Sequence, residues 1–429
     1  MRRTGSDPSM RIPRWLFATL MLLSLAVFIN YIDRGNLATA APLIKDELGL
    51  STTQLGFLLT AFFIAYTPMQ IVVGWLADRF GAGRVLLTGF VMWSVAMLLT
   101  GLVHGFAMLI VLRLLLGLGE SVFFPASSSI VARCLPESAR GIANGVIVAG
   151  MACGPAFGIF FGGLLIAGYG WRSFFIGFGL VSLVWVVPWL AIAQPHLEHC
   201  HAAGTEAPPS TWTILRESSL WGASLGHFCA NYVWYFVLSW MPYYLTHERG
   251  WSMTQMAKIG GGAYLLMALM TMLTGWATDR WIASGATATR VRKSFLGVGT
   301  GLGAICILGC SMASAELSVF LFCLACAAFG LVSPNIYAVA QSLAGANAAG
   351  RWVGIQNCIG NIAGLVAPLL TGVLVDRTGN FALAFMIGAV ICALGGIAWL
   401  FGVGQVTQID WARRNRPVAV SRAAPAPTR

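Results

Sequence analysis

Stretches of about 18 or more residues with few or no charges recur along almost the whole chain, and each is long enough to cross the ~30 Å apolar core of a bilayer as a helix. Of the 429 residues, 58% are hydrophobic and only 10% are charged, with a mean hydropathy of +0.77. A soluble chain carries roughly a quarter charged residues. The pattern therefore predicts an all-α polytopic membrane protein. Twelve spans fit, near 15–33, 53–77, 85–104, 107–132, 140–166, 172–193, 219–245, 254–278, 294–313, 317–341, 352–375 and 380–403. The net charge of +11 does not imply a nucleic-acid partner, because the basic residues punctuate the spans rather than cluster.

The longest interruption, 194–218, holds Gln194-Pro195, several histidines and Pro208-Pro209-Ser210, and divides the chain into six spans plus six. The expected organisation is a basic segment 1–14, a bundle 15–193, a connection 194–218, a second bundle 219–403 and a tail 404–429. That tail is Pro/Ala-rich and basic and reads as disordered. The first span lacks a small-residue cleavage site and reads as a retained signal-anchor. Nineteen of the 26 Lys and Arg residues fall on the termini and the loops after the even-numbered spans. Five fall on the opposite face: Lys45, Arg172, Arg249, Lys258 and Arg377. The positive-inside rule then puts both termini in the cytoplasm, and a bacterial inner membrane is expected.

A repeat supports the division. Gly74-Trp-Leu-Ala-Asp78-Arg79 closes span 2, Gly275-Trp-Ala-Thr-Asp279-Arg280 closes span 8, and G-x-x-x-D-R returns at 372–377. Such internal repetition marks transporters built from related halves, with the substrate held between them near the midplane.

Charges inside spans point to machinery. Arg113-Leu-Leu-Leu-Gly-Leu-Gly-Glu120 sets both signs in an apolar run. Either charge costs roughly 2.5–3.5 kcal/mol on insertion scales, so both must face a protein interior or an aqueous path. Seven residues advance a helix by about 700°, which puts the two side chains on one face, roughly 10 Å apart along the axis. Asp33-Arg34 closes span 1, and a guanidinium there offers a fork that fits a carboxylate.

The loop Gly74–Arg84, with Gly81-Ala-Gly83-Arg84, resembles the signature of the major facilitator superfamily. Three stretches resemble its anion:cation symporters: Asn30-Tyr31-Ile32-Asp33-Arg34, Arg113-x3-Gly117-x-Gly119-Glu120-x4-Pro125-Ala126, and Trp240-Met-Pro-Tyr-Tyr-Leu245. The similarity covers nearly all of 15–403. It implies twelve helices in two six-helix bundles, alternating access, and import of an organic carboxylate such as a sugar acid together with protons. It further implies that Tyr31, Arg34 and Tyr66 contact the substrate and that Asn357 or Asn361 offers an amide. Asp33 and Glu120 would carry protons, with Arg113 the charge partner of one of them. Relatives of this kind present an amide in span 5 where this chain reads Gly150-Met151. No cofactor or metal is implied, and the chain is expected to work as a monomer.

Other features carry two readings. His227, Asn231 and Tyr235 share one face of span 7 and could line a cavity or join an interfacial belt. Asp78-Arg79 and Asp279-Arg280 read as latches between bundles, or as ordinary membrane anchoring. The glycines of span 5 (Gly141, Gly150, Gly154-Pro155 and Gly158) approach a pattern of drug/proton antiporters, although close helix packing also explains them. A proton-coupled antiporter therefore stays open as the alternative. His196, His199, Cys200 and His201 read as a solvated loop, and the cysteines within spans read as small apolar residues. The chain holds no G-x-x-x-x-G-K-[ST] or H-E-x-x-H, so neither direct ATP use nor an enzyme is expected.

Overall fold

A computed structural model describes residues 13–50, 52–202, 209–250 and 253–414. Twelve long helices run through them, as expected from the apolar spacing. The first bundle holds α1 (Arg14–Leu48), α2 (Thr52–Phe80), α3 (Ala82–Thr100), α4 (Phe106–Cys134), α5 (Arg140–Phe157) and α6 (Gly168–Glu198). The second holds α7 (Ser218–Tyr243), α8 (Met253–Ala283), α9 (Ala288–Cys310), α10 (Ala315–Ala344), α11 (Ala349–Val375) and α12 (Ala382–Gly402). The winding widens to a π turn at Gly158–Gly162, and the chain then reverses at Gly170, where φ is 79° and a side chain would be strained.

Among the described residues, ten helices are long and apolar enough to span a membrane by length and composition. The other two are α5 and α7, which carry Asn144 and His227 with Asn231 respectively. Both helices face these polar residues inward between the bundles. The outer surface is apolar: Ile64, Val181, Leu265, Ile305, Leu369 and Phe401 are all exposed, as a lipid-facing wall requires.

Within the first bundle, α1 and α5 lie almost backbone to backbone. A Cβ on Gly150 would stand 2.4 Å from the Ser24 carbonyl oxygen, and one on Gly154 would stand 2.7 Å from the Tyr31 Cβ. Gly150 and Gly154 therefore do what small residues do in membranes: they let two helices meet closely.

The segment after α12 departs from the disordered tail expected of it. Through residue 414 it docks on the second bundle, with Val406 and Trp411 buried. The Trp411 Nε1–H donates to the Ala344 carbonyl at 2.8 Å, and the Ile409 N–H donates to the Leu343 carbonyl at 3.0 Å. A few apolar anchors in a polar stretch suffice to hold it on the helix ends. Residues 1–12, 203–208 and 415–429 lie outside the described residues, as do the side chains of His199, Cys200 and His201. His196 stacks on Trp15 with ring centroids 4.8 Å apart.

Candidate functional site

The centre of the first bundle is built around Arg34. Tyr31 and Arg34 are three residues apart on α1, and Phe62 and Tyr66 are four apart on α2, so each pair shares a helix face. The guanidinium carbon lies 4.6 Å from the Tyr31 ring centroid, 4.9 Å from Phe62 and 4.4 Å from Tyr66. Each such contact stabilises a desolvated cation by ~0.5–2 kcal/mol. Gly117 lets α4 approach α2, since a Cβ there would meet the Phe62 carbonyl oxygen at 2.4 Å. One turn on, Glu120 reaches inward and accepts a hydrogen bond from Arg34 Nε at 2.9 Å, its side chain wholly shielded from solvent. The two terminal nitrogens, Nη1 and Nη2, are buried and find no hydrogen-bond partner among the described residues.

Arg34, rather than Arg113, is thus the direct partner of Glu120. Two helical turns separate Arg113 from Glu120 on one face, too far to touch, whereas the crossing of α1 with α4 brings Arg34 alongside. Arg113 is buried, within electrostatic reach of Glu120 and Asp33, and makes no ion pair among the described residues. Asp33 is buried beside this cluster with both carboxyl oxygens unpartnered among the described residues.

The second bundle supplies a hydrogen-bonded wall. The Tyr235 hydroxyl donates to Asn361 Oδ1 at 2.7 Å, and Asn361 Nδ2 donates to the Asn357 carbonyl at 2.9 Å. The Tyr337 hydroxyl donates to Asn357 Oδ1 at 3.4 Å. His227, Asn231 and Tyr235 all line the central cavity, and Tyr31 and Met151 face them from the first bundle. Aromatic contacts cross between the halves here: Phe124 stacks on Tyr337 at 5.0 Å, and Phe63 meets Tyr235 edge-on at 6.0 Å. Phe62, Phe124 and Tyr337 escaped the sequence reading. Only the polar run Ser333-Pro-Asn-Ile-Tyr337 within an apolar span signals the last of them.

At the face carrying the start of α1, the bundles meet directly. Asp78 accepts from the backbone N–H of Gly350 at 3.3 Å and of Arg351 at 3.0 Å, in the first turn of α11. Asp279 accepts from the N–H of Gly141 at 2.9 Å and of Ile142 at 2.6 Å, in the first turn of α5. A helix start presents free N–H donors and about half a positive charge, so each carboxylate caps a helix of the opposite bundle. The neighbouring arginines take no part. Arg79 is exposed over Trp75 and Phe80, and Arg280 is exposed over Trp276. The cations near the carboxylates are instead Arg351, 3.8 Å from Asp78, and Arg292, 3.5 Å from Asp279. A reciprocal amide pair unseen in the sequence, Asn144 with Gln341 at 2.8 and 3.1 Å, crosses the same seam.

The repeat's leading glycines make this contact possible. A Cβ on Gly74 would stand 2.5 Å from the Gly350 carbonyl oxygen, and one on Gly275 would stand 2.4 Å from that of Gly141. Backbone cannot yield as a flexible side chain does. Gly74→Val is therefore expected to hold this face open. Spin labels at the exposed positions 79 and 280, in a cysteine-free background, should report longer separations than in the parent. Unchanged separations would refute the closing role of this contact.

A family model described as Major Facilitator Superfamily matches residues 23–364 and 282–425. The chain belongs to the major facilitator superfamily. It is accordingly a multi-pass membrane transporter and not an enzyme. This superfamily member is 31% identical over 402 residues to the probable sulfoacetate transporter of Cupriavidus necator, covering 89% of this chain and 92% of that protein. It is 29% identical to the D-galactonate transporter of Escherichia coli (92% and 96% covered) and 28% identical to the hexuronate transporter of Bacillus subtilis (88% and 92%). A solved proton:xylose symporter superposes with a TM-score of 0.73, over 92% of this chain and 98% of that one. At 13% identity that likeness concerns the fold.

Proposed function

We propose that this transporter imports an organic carboxylate together with protons, by alternating access of the halves 15–193 and 219–403. The observation that carries the reading is the Arg34 fork: a buried guanidinium on an aromatic platform, bound to Glu120 through Nε, with Nη1 and Nη2 unpartnered among the described residues. A substrate carboxylate engages that fork and competes with Glu120 for the charge of the guanidinium. Glu120, left without its cation in a dry site, then favours the protonated form, as any carboxyl does there. Asp33 is the second proton carrier, and Arg113 supplies a positive field to both carboxylates. Tyr31, Tyr66 and Tyr235 position the anion from the two sides, with Asn357 and Asn361 opposite. That three relatives are named as transporters of sulfoacetate, D-galactonate and hexuronate supports an anionic cargo.

The Lys/Arg asymmetry supports a cytoplasmic position for the face joined by Asp78 and Asp279 and for both termini, in a bacterial inner membrane. Asp78 and Asp279 are the gate, and their release opens the cavity inward. One chain encloses the whole site, so the monomer is the working unit. The antiporter alternative has less support, because Gly150 and Gly154 are accounted for by contact with α1 and Gly141 by contact with α8.

Proteoliposomes with an inwardly directed proton gradient provide the test. Radiolabelled galactonate, hexuronate, sulfoacetate and short aliphatic carboxylates are offered outside, and at least one should accumulate above its external concentration and leak out when a protonophore is added. Accumulation only under an outward gradient would establish the antiporter instead. Indifference to every acid would end the carboxylate reading.

A further inference from the structure

His227 lines the central cavity from α7, buried from bulk solvent, and its surroundings fix which of its nitrogens carries the proton. On α11 the Trp352 Nε1–H donates to Gln356 Oε1, one turn on, at 3.0 Å. An indole nitrogen can only donate, so the Gln356 amide turns its oxygen to Trp352 and its nitrogen the other way. That nitrogen stands 3.4 Å from His227 Nδ1. It too can only donate, so Nδ1 is the acceptor and the ring proton sits on Nε2. A doubly protonated ring would set two donors against each other. The ring is also held in place. A Cβ on Gly360 would stand 3.0 Å from His227 Cγ and 3.2 Å from both Cδ2 and Nδ1, so this side of the ring lies on α11 and Nε2 is farther from that helix. Tyr337 meets the ring edge-on at 5.7 Å.

Nothing charged faces His227 across the cavity. The described lining residues include no Asp, Glu, Lys or Arg, and the titratable groups sharing the space are the phenols of Tyr31, Tyr235 and Tyr337. An imidazolium would have no counter-charge there. We infer that His227 is a specificity-determining contact of the second bundle, a neutral imidazole that donates its Nε2–H to an oxygen of the cargo and carries no coupling proton. Gln356, oriented by Trp352, is the positioning residue that keeps the ring in this tautomer. A hydroxyl or a carbonyl of the cargo serves equally as the acceptor. The neutral form leaves Asp33 and Glu120 as the proton carriers and adds no cation to compete with Arg34. The cargo contact rests on the carboxylate reading above, whereas the tautomer follows from the protein alone.

Nitrogen NMR of the full-length chain with isotope-labelled histidine tests the tautomer, the His227 signals being assigned by their loss in His227→Gln. The Nε2–H pattern should persist between about pH 5 and 8. Gln356→Leu removes the donor from Nδ1 and should let the other tautomer appear. Binding of radiolabelled D-galactonate, hexuronate and sulfoacetate tests the contact. His227→Leu should weaken the acid that the parent binds best by about tenfold, as one lost buried hydrogen bond implies. His227→Gln, whose amide nitrogen reaches the position of the imidazole Nε2, should recover most of that loss and keep the parental dependence of affinity on pH. An Nδ1–H pattern in the parent, a ring that takes up a second proton in this range, or a flattened pH dependence in His227→Gln overturns the inference while sparing the carboxylate reading. So does parental affinity in His227→Leu. Failure of the parent to bind any of these acids would overturn the contact and the carboxylate reading together.

Discussion

Arg34→Lys should weaken carboxylate binding by roughly a hundredfold, although the positive charge is kept. The guanidinium holds Glu120 through Nε and keeps Nη1 and Nη2 buried without a hydrogen-bond partner among the described residues. An ammonium is a point charge without a plane. It can satisfy Glu120 or a substrate but cannot present a parallel pair of N–H bonds to the latter, and it stacks less well on Tyr31 and Tyr66. The loss corresponds to about 3 kcal/mol, within the range for truncating one member of a buried, hydrogen-bonded charge pair. Competition against a radiolabelled acid in detergent measures it without any need for transport. An affinity within about threefold of the parent would remove Arg34 from the binding site, since a bidentate contact cannot be lost so cheaply.

Glu120→Gln should separate movement from coupling. The amide has nearly the shape of the protonated acid but cannot release a proton. Uphill accumulation driven by a proton gradient should vanish, whereas counterflow exchange of labelled for unlabelled substrate should persist. Linkage adds a sign. If substrate binding frees Glu120 to take up a proton, then protons favour substrate binding in return, and apparent affinity in the parent must fall as pH rises. In the Gln variant Glu120's part of that slope should disappear, and high-pH affinity should exceed that of the parent, because Arg34 no longer has a competing carboxylate. Accumulation against a gradient at the parental level would show that the coupling proton travels elsewhere. Asp33 would then be the group to examine, since its oxygens are also buried without partners among the described residues.

Much of the architecture was legible because a bilayer imposes rules that act on short stretches of chain. Apolar length gives the spans, and the repeated G-x-x-x-D-R gives the relation of the halves. The residues of the central cluster were legible for a related reason: an ionised side chain in an apolar run needs a purpose, and Asp33, Arg34, Arg113 and Glu120 stand out on that ground alone. Their pairing was not. Arg34 and Glu120 are 86 residues apart, and their contact depends on how α1, α2 and α4 cross, which Gly117 permits but does not announce. The contact between the halves was half legible. The sequence marks Asp78 and Asp279 and places an arginine beside each. Adjacent helical residues diverge by about 100°, however, and the arginines turn outward to tryptophans while the carboxylates find backbone N–H groups. Main-chain donors leave no trace in the identity of the residues that supply them.

By itself, then, the sequence determined that this chain crosses a membrane many times as two related sets of helices, and which charged side chains had to be sheltered from lipid. Both follow from the free energy of placing apolar or ionised groups in hydrocarbon, which depends on local composition. Only the tertiary structure decided that Glu120 binds Arg34 and leaves Nη1 and Nη2 without a hydrogen-bond partner among the described residues, that Asp78 and Asp279 cap helices of the opposite half, and that Tyr235 bonds Asn361. Those facts depend on helix crossings at glycine contacts of about 2.5 Å, set by the packing of segments far apart in the chain.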